Sequence, residues 1–240
     1  MTGQTATGML HCVLAVDPQL HLRLGVLGTG RLGSAVARLA VAGGHQVTVA
    51  GAGALEDVAL AVQFTIPGAR VADAARVIAG SDLVVLAVPL NRFDTVPREG
   101  FDGQIVIDAM NYWAPVDGHV PGFSDPAGTS QIVQARLAPA RVVRTLNHIG
   151  YHELEADARP PGDPDRRAVA LAGDDADAVA VVAKLVDSLG FDPVIAGDLT
   201  AAAAFAPGSA IFEGWLDAGA MEDALTRFRP TTRQEDPAWN

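Results

Sequence analysis

Residues 22–33 read Leu22-Arg23-Leu24-Gly25-Val26-Leu27-Gly28-Thr29-Gly30-Arg31-Leu32-Gly33. A short apolar strand at residues 22–27 runs directly into G-x-G-x-x-G, and an Ala-rich helix follows over residues 31–42. A second strand is predicted at residues 46–50. This is the dinucleotide-binding fingerprint in its strand–turn–helix context. Gly28 turns the chain sharply out of the strand. Gly30 lets a pyrophosphate approach the backbone. Gly33 lets the helix pack closely on the strand. The first N–H groups of that helix lack intrahelical partners and carry roughly half a positive charge, which suits an anion.

The length suits one domain of ordinary size plus a smaller lobe. The chain has 240 residues and a formal net charge of −11. That charge argues against a nucleic-acid partner, which would select a basic face. Cys12 is the only cysteine, so no intramolecular disulfide can form. Lys184 is the only lysine, against sixteen arginines, so lysine-based catalysis has little to draw on. No apolar run reaches the roughly 18–20 residues of a membrane helix. Residues 1–21 read as an extension ahead of the first strand. Residues 9–16 are apolar but follow no basic stretch, so no secretory signal is expected and the cytoplasm is the expected location.

Apolar runs alternate with amphipathic segments, which predicts a doubly wound parallel Rossmann sheet. Strands are expected at residues 22–27, 46–50, 69–72, 82–88, 104–109 and 141–146. Helices are expected at 31–42, 54–62, 73–79, 91–97 and 128–137. Right-handed crossovers place the C-terminal ends of these strands on one edge of the sheet. Residues 112–127 read as a long loop over that edge, and residues 155–167 as a polar connector. Beyond lie a strand at 168–172, a helix at 175–189, a strand at 192–196 and a helical tail over 200–228. The expected organisation is an extension at 1–21, a dinucleotide-binding Rossmann domain at 22–147, and a small C-terminal α/β lobe at 148–240. That lobe either extends the sheet or caps it.

Several residues at the strand ends are candidates for chemistry. Gly28, Thr29, Gly30, Arg31, Leu32 and Gly33 should hold the pyrophosphate. Gly51 follows the second strand, while Val88, Pro89 and Asn111 should wall the nicotinamide. The second strand ends in Ala50-Gly51-Ala52-Gly53, without the carboxylate that binds the ribose hydroxyls of NAD. Its absence removes repulsion of a 2′-phosphate and favours NADP, with NAD as the alternative. Arg31 is the cation nearest in sequence for that phosphate; a solvent-exposed first-turn arginine is its plainer reading. Asn147 and His148 follow the sixth strand and are the catalytic candidates, set against turn capping for Asn147 and a satisfied histidine for His148. His148 and His152 stand four apart, but no H-E-x-x-H order or third ligand accompanies them, so no metal site is expected. No G-x-S-x-G elbow supports Ser hydrolysis.

The pattern resembles the NADP oxidoreductases that depend on the deazaflavin coenzyme F420. The resemblance rests on the fingerprint, on Leu86-Ala87-Val88-Pro89, and on Val106-Ile107-Asp108-Ala109-Met110-Asn111. It continues through Arg141-Val142-Val143-Arg144-Thr145-Leu146-Asn147 and Ala170-Leu171-Ala172-Gly173-Asp174-Asp175, over residues 22–198. It implies hydride exchange between NADPH and a deazaflavin, a flavin-like ring or a small organic acceptor, with orientation of the two rings contributing most of the rate. The chain departs from the family at three places. Gly51-Ala52 stands where members carry a Ser-Arg type pair, and Asn147 where the deazaflavin reductases carry a histidine. Gly197-Asp198-Leu199 and Ala201 to Ala204 replace a polar, basic segment. The expected partner is a small-molecule hydride acceptor, with no nucleic acid and no membrane, and a homodimer is left open. Two other readings are a non-catalytic dinucleotide-binding sensor and a β-hydroxyacid-type dehydrogenase; the second lacks a suitable lysine.

Overall fold

Leu83, Val84, Val85 and Leu86 are all fully buried, as a strand covered on both faces must be. They form the middle of a sheet in the computed structural model, which describes residues 21–120, 122, 123, 128–212 and 214–228. The strands are β1 (Arg23–Leu27), β2 (Gln46–Ala50), β3 (Arg70–Val71), β4 (Leu83–Leu86), β5 (Ile105–Asp108), β6 (Arg141–Arg144), β7 (Ala168–Gly173) and β8 (Asp192–Gly197). They form one eight-stranded sheet in the order β3-β2-β1-β4-β5-β6-β7-β8. The first six are parallel, β7 is antiparallel to β6, and β8 is parallel to β7. The chain is therefore an α/β Rossmann protein whose C-terminal α/β unit extends the sheet.

The helices are α1 (Arg31–Ala42), α2 (Leu55–Thr65), α3 (Ala74–Gly80), α4 (Ala114–Asp117), α5 (Thr129–Leu137), α6 (Tyr151–Asp157), α7 (Ala176–Ser188) and α8 (Ala218–Arg227). Alternate strand residues feed two cores. Val26, Leu83 and Val85 pack with Val36 of α1, Val58 of α2, Leu154 of α6 and Val182 of α7. Leu27, Val84 and Leu86 pack with Val77 of α3, Phe93, and Val133 of α5. Along β7, Ala168, Ala170 and Ala172 form a third cluster with Phe205 and Met221. Aspartates start three of these helices: Asp73, Asp175 and Asp217 accept from the N–H of Arg76, Ala178 and Ala220.

The structure amends several boundaries. Residues 151–157 form α6, which takes in the first residues of the connector expected at 155–167. The helix expected at 91–97 is a 3₁₀ segment, Leu90–Thr95. The tail expected as a helix over 200–228 divides into a 3₁₀ segment, Leu199–Phe205, and α8. Pro207, Gly208 and Gly214 lie between them and interrupt helical hydrogen bonding. The sixth strand stops at Arg144 because Leu146 turns left-handed, with φ of 62°. The loop expected at 112–127 contains α4, and its residues 121 and 124–127 lie outside the described residues, as do residues 1–20 of the expected extension.

Candidate functional site

Each fingerprint glycine answers a different constraint. Gly28 has φ of 115°, and a Cβ there would lie 2.4 Å from the carbonyl oxygen of Ala87 on the neighbouring strand connection. A Cβ on Gly33 would lie 1.9 Å from the carbonyl oxygen of Gly28, so helix and turn touch backbone to backbone. Gly30 is different. Its φ is −74°, and a Cβ there would meet no heavy atom within 4 Å. Gly28 and Gly33 are needed by the fold, whereas Gly30 opens onto free space. It caps α1 without a side-chain hydrogen bond, and the first turn carries no acidic residue. The cradle thus presents unpartnered helix N–H groups and no opposing charge to an incoming anion.

That free space is a cleft of about 470 Å³ lined by Gly28, Thr29, Gly30, Gly51, Val88 and Pro89, among others. Thr29 seals its junction with the second strand: a Cβ on Gly51 would come within 2.4 Å of the Thr29 Oγ1. Arg92 and Thr95, from the 3₁₀ segment after Pro89, also line it. A second cavity of about 610 Å³ opens beside Leu32, two residues further along α1. Asn111, Asn147 and His148 line this second cavity with Tyr151, Glu153, Arg167, Phe212 and Trp215. Apart from Arg31 and Gly33, which line neither, the candidate residues therefore divide between two chambers flanking the N-terminus of α1.

Behind Asn111 and Asn147, which line the second chamber, lies a buried polar chain. Asp108 and Arg144 pair at 3.0 Å with almost no exposure of either side chain. Asp108 also accepts from the Ser130 hydroxyl at 2.7 Å and the Met110 N–H at 3.0 Å. Arg144 donates to the Met110 carbonyl and, at 2.8 Å, to the Asn111 Oδ1. Burial pulls the Arg144 guanidinium below its usual range, and Asp108 opposes that shift. Asn111 donates to the Asn147 carbonyl at 2.7 Å. Asn147 donates to the Phe205 carbonyl at 2.9 Å and to the Asn111 Oδ1 at 3.3 Å. The two asparagines thus lock the ends of β5 and β6 to the 3₁₀ segment Leu199–Phe205.

His148 does not stand as a proton donor at this site. Its Nε2 accepts from the Ala170 N–H of β7 at 3.1 Å, which leaves Nδ1 protonated and facing the Asn147 Oδ1 at 3.3 Å. Burial, reinforced by Arg144 and Arg167, pushes its pKa down to about 3. The imidazole is a neutral brace between strands. Arg31 likewise points elsewhere than the turn after β2. Its guanidinium lies over the Tyr151 ring, 5.3 Å from the centroid, and donates to the Tyr151 hydroxyl at 3.2 Å. His148 precedes α6 and is buried, whereas His152 lies on α6 and is exposed, so the two do not share a helix face. Among the described residues no group of three His, Cys, Asp or Glu could hold a metal.

Sequence reasoning missed Arg92, Tyr151, Arg167, Phe212 and Trp215. Arg167 reaches the site because β7 runs antiparallel, so its N-terminal end lies at the edge where the parallel strands finish. There Arg167 is buried, pairing with Glu153 at 2.9 Å and Asp157 at 2.8 Å and donating to the Gly214 carbonyl at 3.0 Å. Hydrogen bonding to Arg167, then to the Gly150 N–H, holds the Glu153 carboxyl below its ordinary range. Trp113 stacks on Phe212 with ring centroids 6.4 Å apart and planes at 21°. Trp113, Tyr151 and Trp215 are exposed, which is uncommon for side chains of their size.

Residues 23–112 match the family described as NADP oxidoreductase, coenzyme F420-dependent. Among solved structures, the chain is similar to a presumptive F420-dependent NADP reductase from Arthrobacter sp. FB24. The two share 28% identity over 76% of this chain and 88% of that one, with a TM-score of 0.62. It is also similar to the hypothetical protein SMa0349 from Sinorhizobium meliloti, at 26% identity over 81% and 94% of the two chains, with a TM-score of 0.68. A reductive aminase from Aspergillus terreus, solved with NADPH and ethyl levulinate, shares the fold at 17% identity. It is covered over 56% of its length, against 75% of this chain, with a TM-score of 0.53. No curated protein matches the sequence. Among the described residues no helix is long and apolar enough to cross a membrane.

Proposed function

We propose that this NAD(P)-dependent oxidoreductase, whose residues 23–112 match the F420-dependent NADP oxidoreductase model, moves hydride between NADPH and a planar ring acceptor, either a deazaflavin, a flavin-like ring or a small organic ring. The observation that carries this reading is the pair of chambers flanking the N-terminus of α1, one acid-free and glycine-lined, the other aromatic-walled. Gly28 to Gly33 would take the pyrophosphate on the free N–H groups of α1. Ala50, Gly51 and Ala52 would face the adenosine ribose. Val88, Pro89 and Asn111 would border the nicotinamide. When bound, NADPH supplies the hydride; the protein holds the acceptor ring against it.

Tyr151, Phe212 and Trp215 suit that second task, because offset stacking on aromatic faces orients a flat ring. Asn147 and His148 are positioning residues here, since their polar atoms are engaged within the protein. At the aromatic chamber Glu153 is paired with Arg167 and the His148 Nε2 is engaged by the Ala170 N–H, which agrees with a transfer governed by orientation. NAD is the alternative dinucleotide, and a deazaflavin, a flavin and smaller quinone-like rings are the acceptors to compare.

The test is steady-state oxidation of NADPH with coenzyme F420, FMN, riboflavin and a small quinone in parallel, alongside calorimetric titration with NADPH. Turnover with at least one ring acceptor supports the reading. Tight NADPH binding without turnover of any acceptor would instead support a dinucleotide-binding sensor.

A further inference from the structure

We propose that Arg92 is the cation that recognises the 2′-phosphate of NADP in this chain, in place of a cation after β2. This rests on the reading of the acid-free cleft as the dinucleotide site. Three observations carry it. Arg92 lines the same cleft as Gly51 and Ala52, the turn where the adenosine ribose of a Rossmann-bound dinucleotide lies. Among the described residues lining that cleft, Arg92 is the one with a charged side chain. The nearest competing carboxylate in sequence, Asp94, is engaged by Arg136 at 2.8 Å and faces Arg98 at 3.7 Å.

The backbone at Arg92 is held in place. Its N–H donates to the Pro89 carbonyl at 2.8 Å, and its own carbonyl accepts from the Thr95 hydroxyl at 2.7 Å. The next residue, Phe93, is buried and meets Phe123 edge-on at 6.1 Å. The side chain therefore leaves a fixed 3₁₀ turn anchored under the cleft. The backbone there needs no further ordering on meeting a phosphate, and the planar guanidinium fork matches phosphate oxygens. Arg31, the other candidate, is turned toward Tyr151. The small residues Gly51 and Ala52 leave the ribose side unobstructed, so a cation can arrive from across the cleft.

The experiment is calorimetric titration of the parent protein, Arg92→Ala and Arg92→Glu with NADPH and with NADH. Arg92 is exposed, so both variants should fold, and circular dichroism checks this. Arg92→Ala should weaken NADPH about 10- to 100-fold, the range of a charge-assisted contact, while NADH changes less than about 3-fold; Arg92→Glu should invert the preference. Equal losses for the two dinucleotides would assign Arg92 to the adenine ring and overturn the proposal, as would an unchanged NADPH-to-NADH ratio. A parent protein that binds neither dinucleotide would overturn the cleft reading itself, a result distinguishable from both.

Discussion

The Ala170 N–H donates to the Nε2 of His148 at 3.1 Å, tying the antiparallel strand β7 to the end of β6 through a neutral imidazole. The His148 pKa falls to about 3, chiefly through burial. A group depressed on folding takes up its proton in the unfolded chain first. His148 thus favours the folded state fully above the unfolded value of about 6.5, and that contribution is lost as pH falls from there toward 3. At about 1.4 kcal/mol per unit, acidification from pH 7 to roughly pH 4.5 should cost on the order of 2–3 kcal/mol through this residue. Urea denaturation at both pH values checks it. His148→Gln should be less stable than the parent at pH 7 but lose less on acidification. Comparing the two proteins cancels His45, whose pKa burial also lowers. A parallel loss in both would remove His148 as the acid-sensitive element.

The fingerprint glycines should separate into folding and binding roles. Gly30→Val places its side chain in open space at an ordinary φ, so the protein should keep its melting temperature and lose NADPH binding. Gly33→Ala drives a methyl into the Gly28 carbonyl, so it should destabilise by about 1–3 kcal/mol or more, as overpacking does. Thermal melts and calorimetry on the two variants test the division. Retained NADPH affinity in Gly30→Val would show that the cleft is not where the pyrophosphate lies.

The fold was legible where local chemistry decided it. Leu83 to Leu86 read as a buried strand because nothing polar interrupts them, and the fingerprint fixed strand, turn and helix together. The polar helix α6 was not legible, because distant partners support it: Arg167 holds Glu153 and Asp157, and Arg38 holds Glu155 at 2.6 Å. A helical tail is expected from residue 200, but the chain there forms a 3₁₀ segment whose last residue, Phe205, gives its carbonyl to Asn147. The site was legible in its glycines and asparagines. Arg92 and the aromatic wall were not, since Arg92 joins it through a 3₁₀ turn, Tyr151 through α6, and Phe212 and Trp215 through the segment between the second 3₁₀ turn and α8.

Asn147 should matter for stability as well as for turnover. Its amide bridges Phe205 and Asn111 inside the protein, so truncation strands buried polar groups rather than merely removing a wall. Asn147→Ala should lose about 1–3 kcal/mol in chemical denaturation and lower kcat more than it raises the KM for NADPH. A variant with unchanged stability would show that the bridge carries no weight in solution.

Asp108 and Arg144 should couple strongly. Asp108→Ala leaves the buried guanidinium without its carboxylate and should cost about 3–5 kcal/mol. Replacing both, as Asp108→Ala with Arg144→Met, removes the stranded charge and should recover part of that loss. A double-mutant cycle by denaturation measures the coupling. Strict additivity would mean that the pair interacts little and that the Ser130 and Met110 hydrogen bonds to Asp108 dominate.

Trp215 tests the aromatic wall separately from the dinucleotide cleft. It is 49% exposed at the chamber that holds Tyr151 and Phe212, so its removal costs little folding energy. An aromatic pair contributes about 0.5–1.5 kcal/mol beyond area burial. Trp215→Ala should therefore raise the KM for a ring acceptor by roughly 2- to 10-fold, while NADPH affinity by calorimetry stays within about 2-fold. Coenzyme F420 should be a poor acceptor in the parent, because by the resemblance Asn147 replaces a histidine and the alanines 201 to 204 replace a polar, basic segment of the deazaflavin reductases. Steady-state kinetics with two ring acceptors of different size give the deciding contrast. If Trp215→Ala leaves every acceptor KM unchanged, the acceptor does not stack on this wall. If it weakens NADPH instead, the nicotinamide end of the dinucleotide occupies the aromatic chamber, and the acceptor must enter from another side.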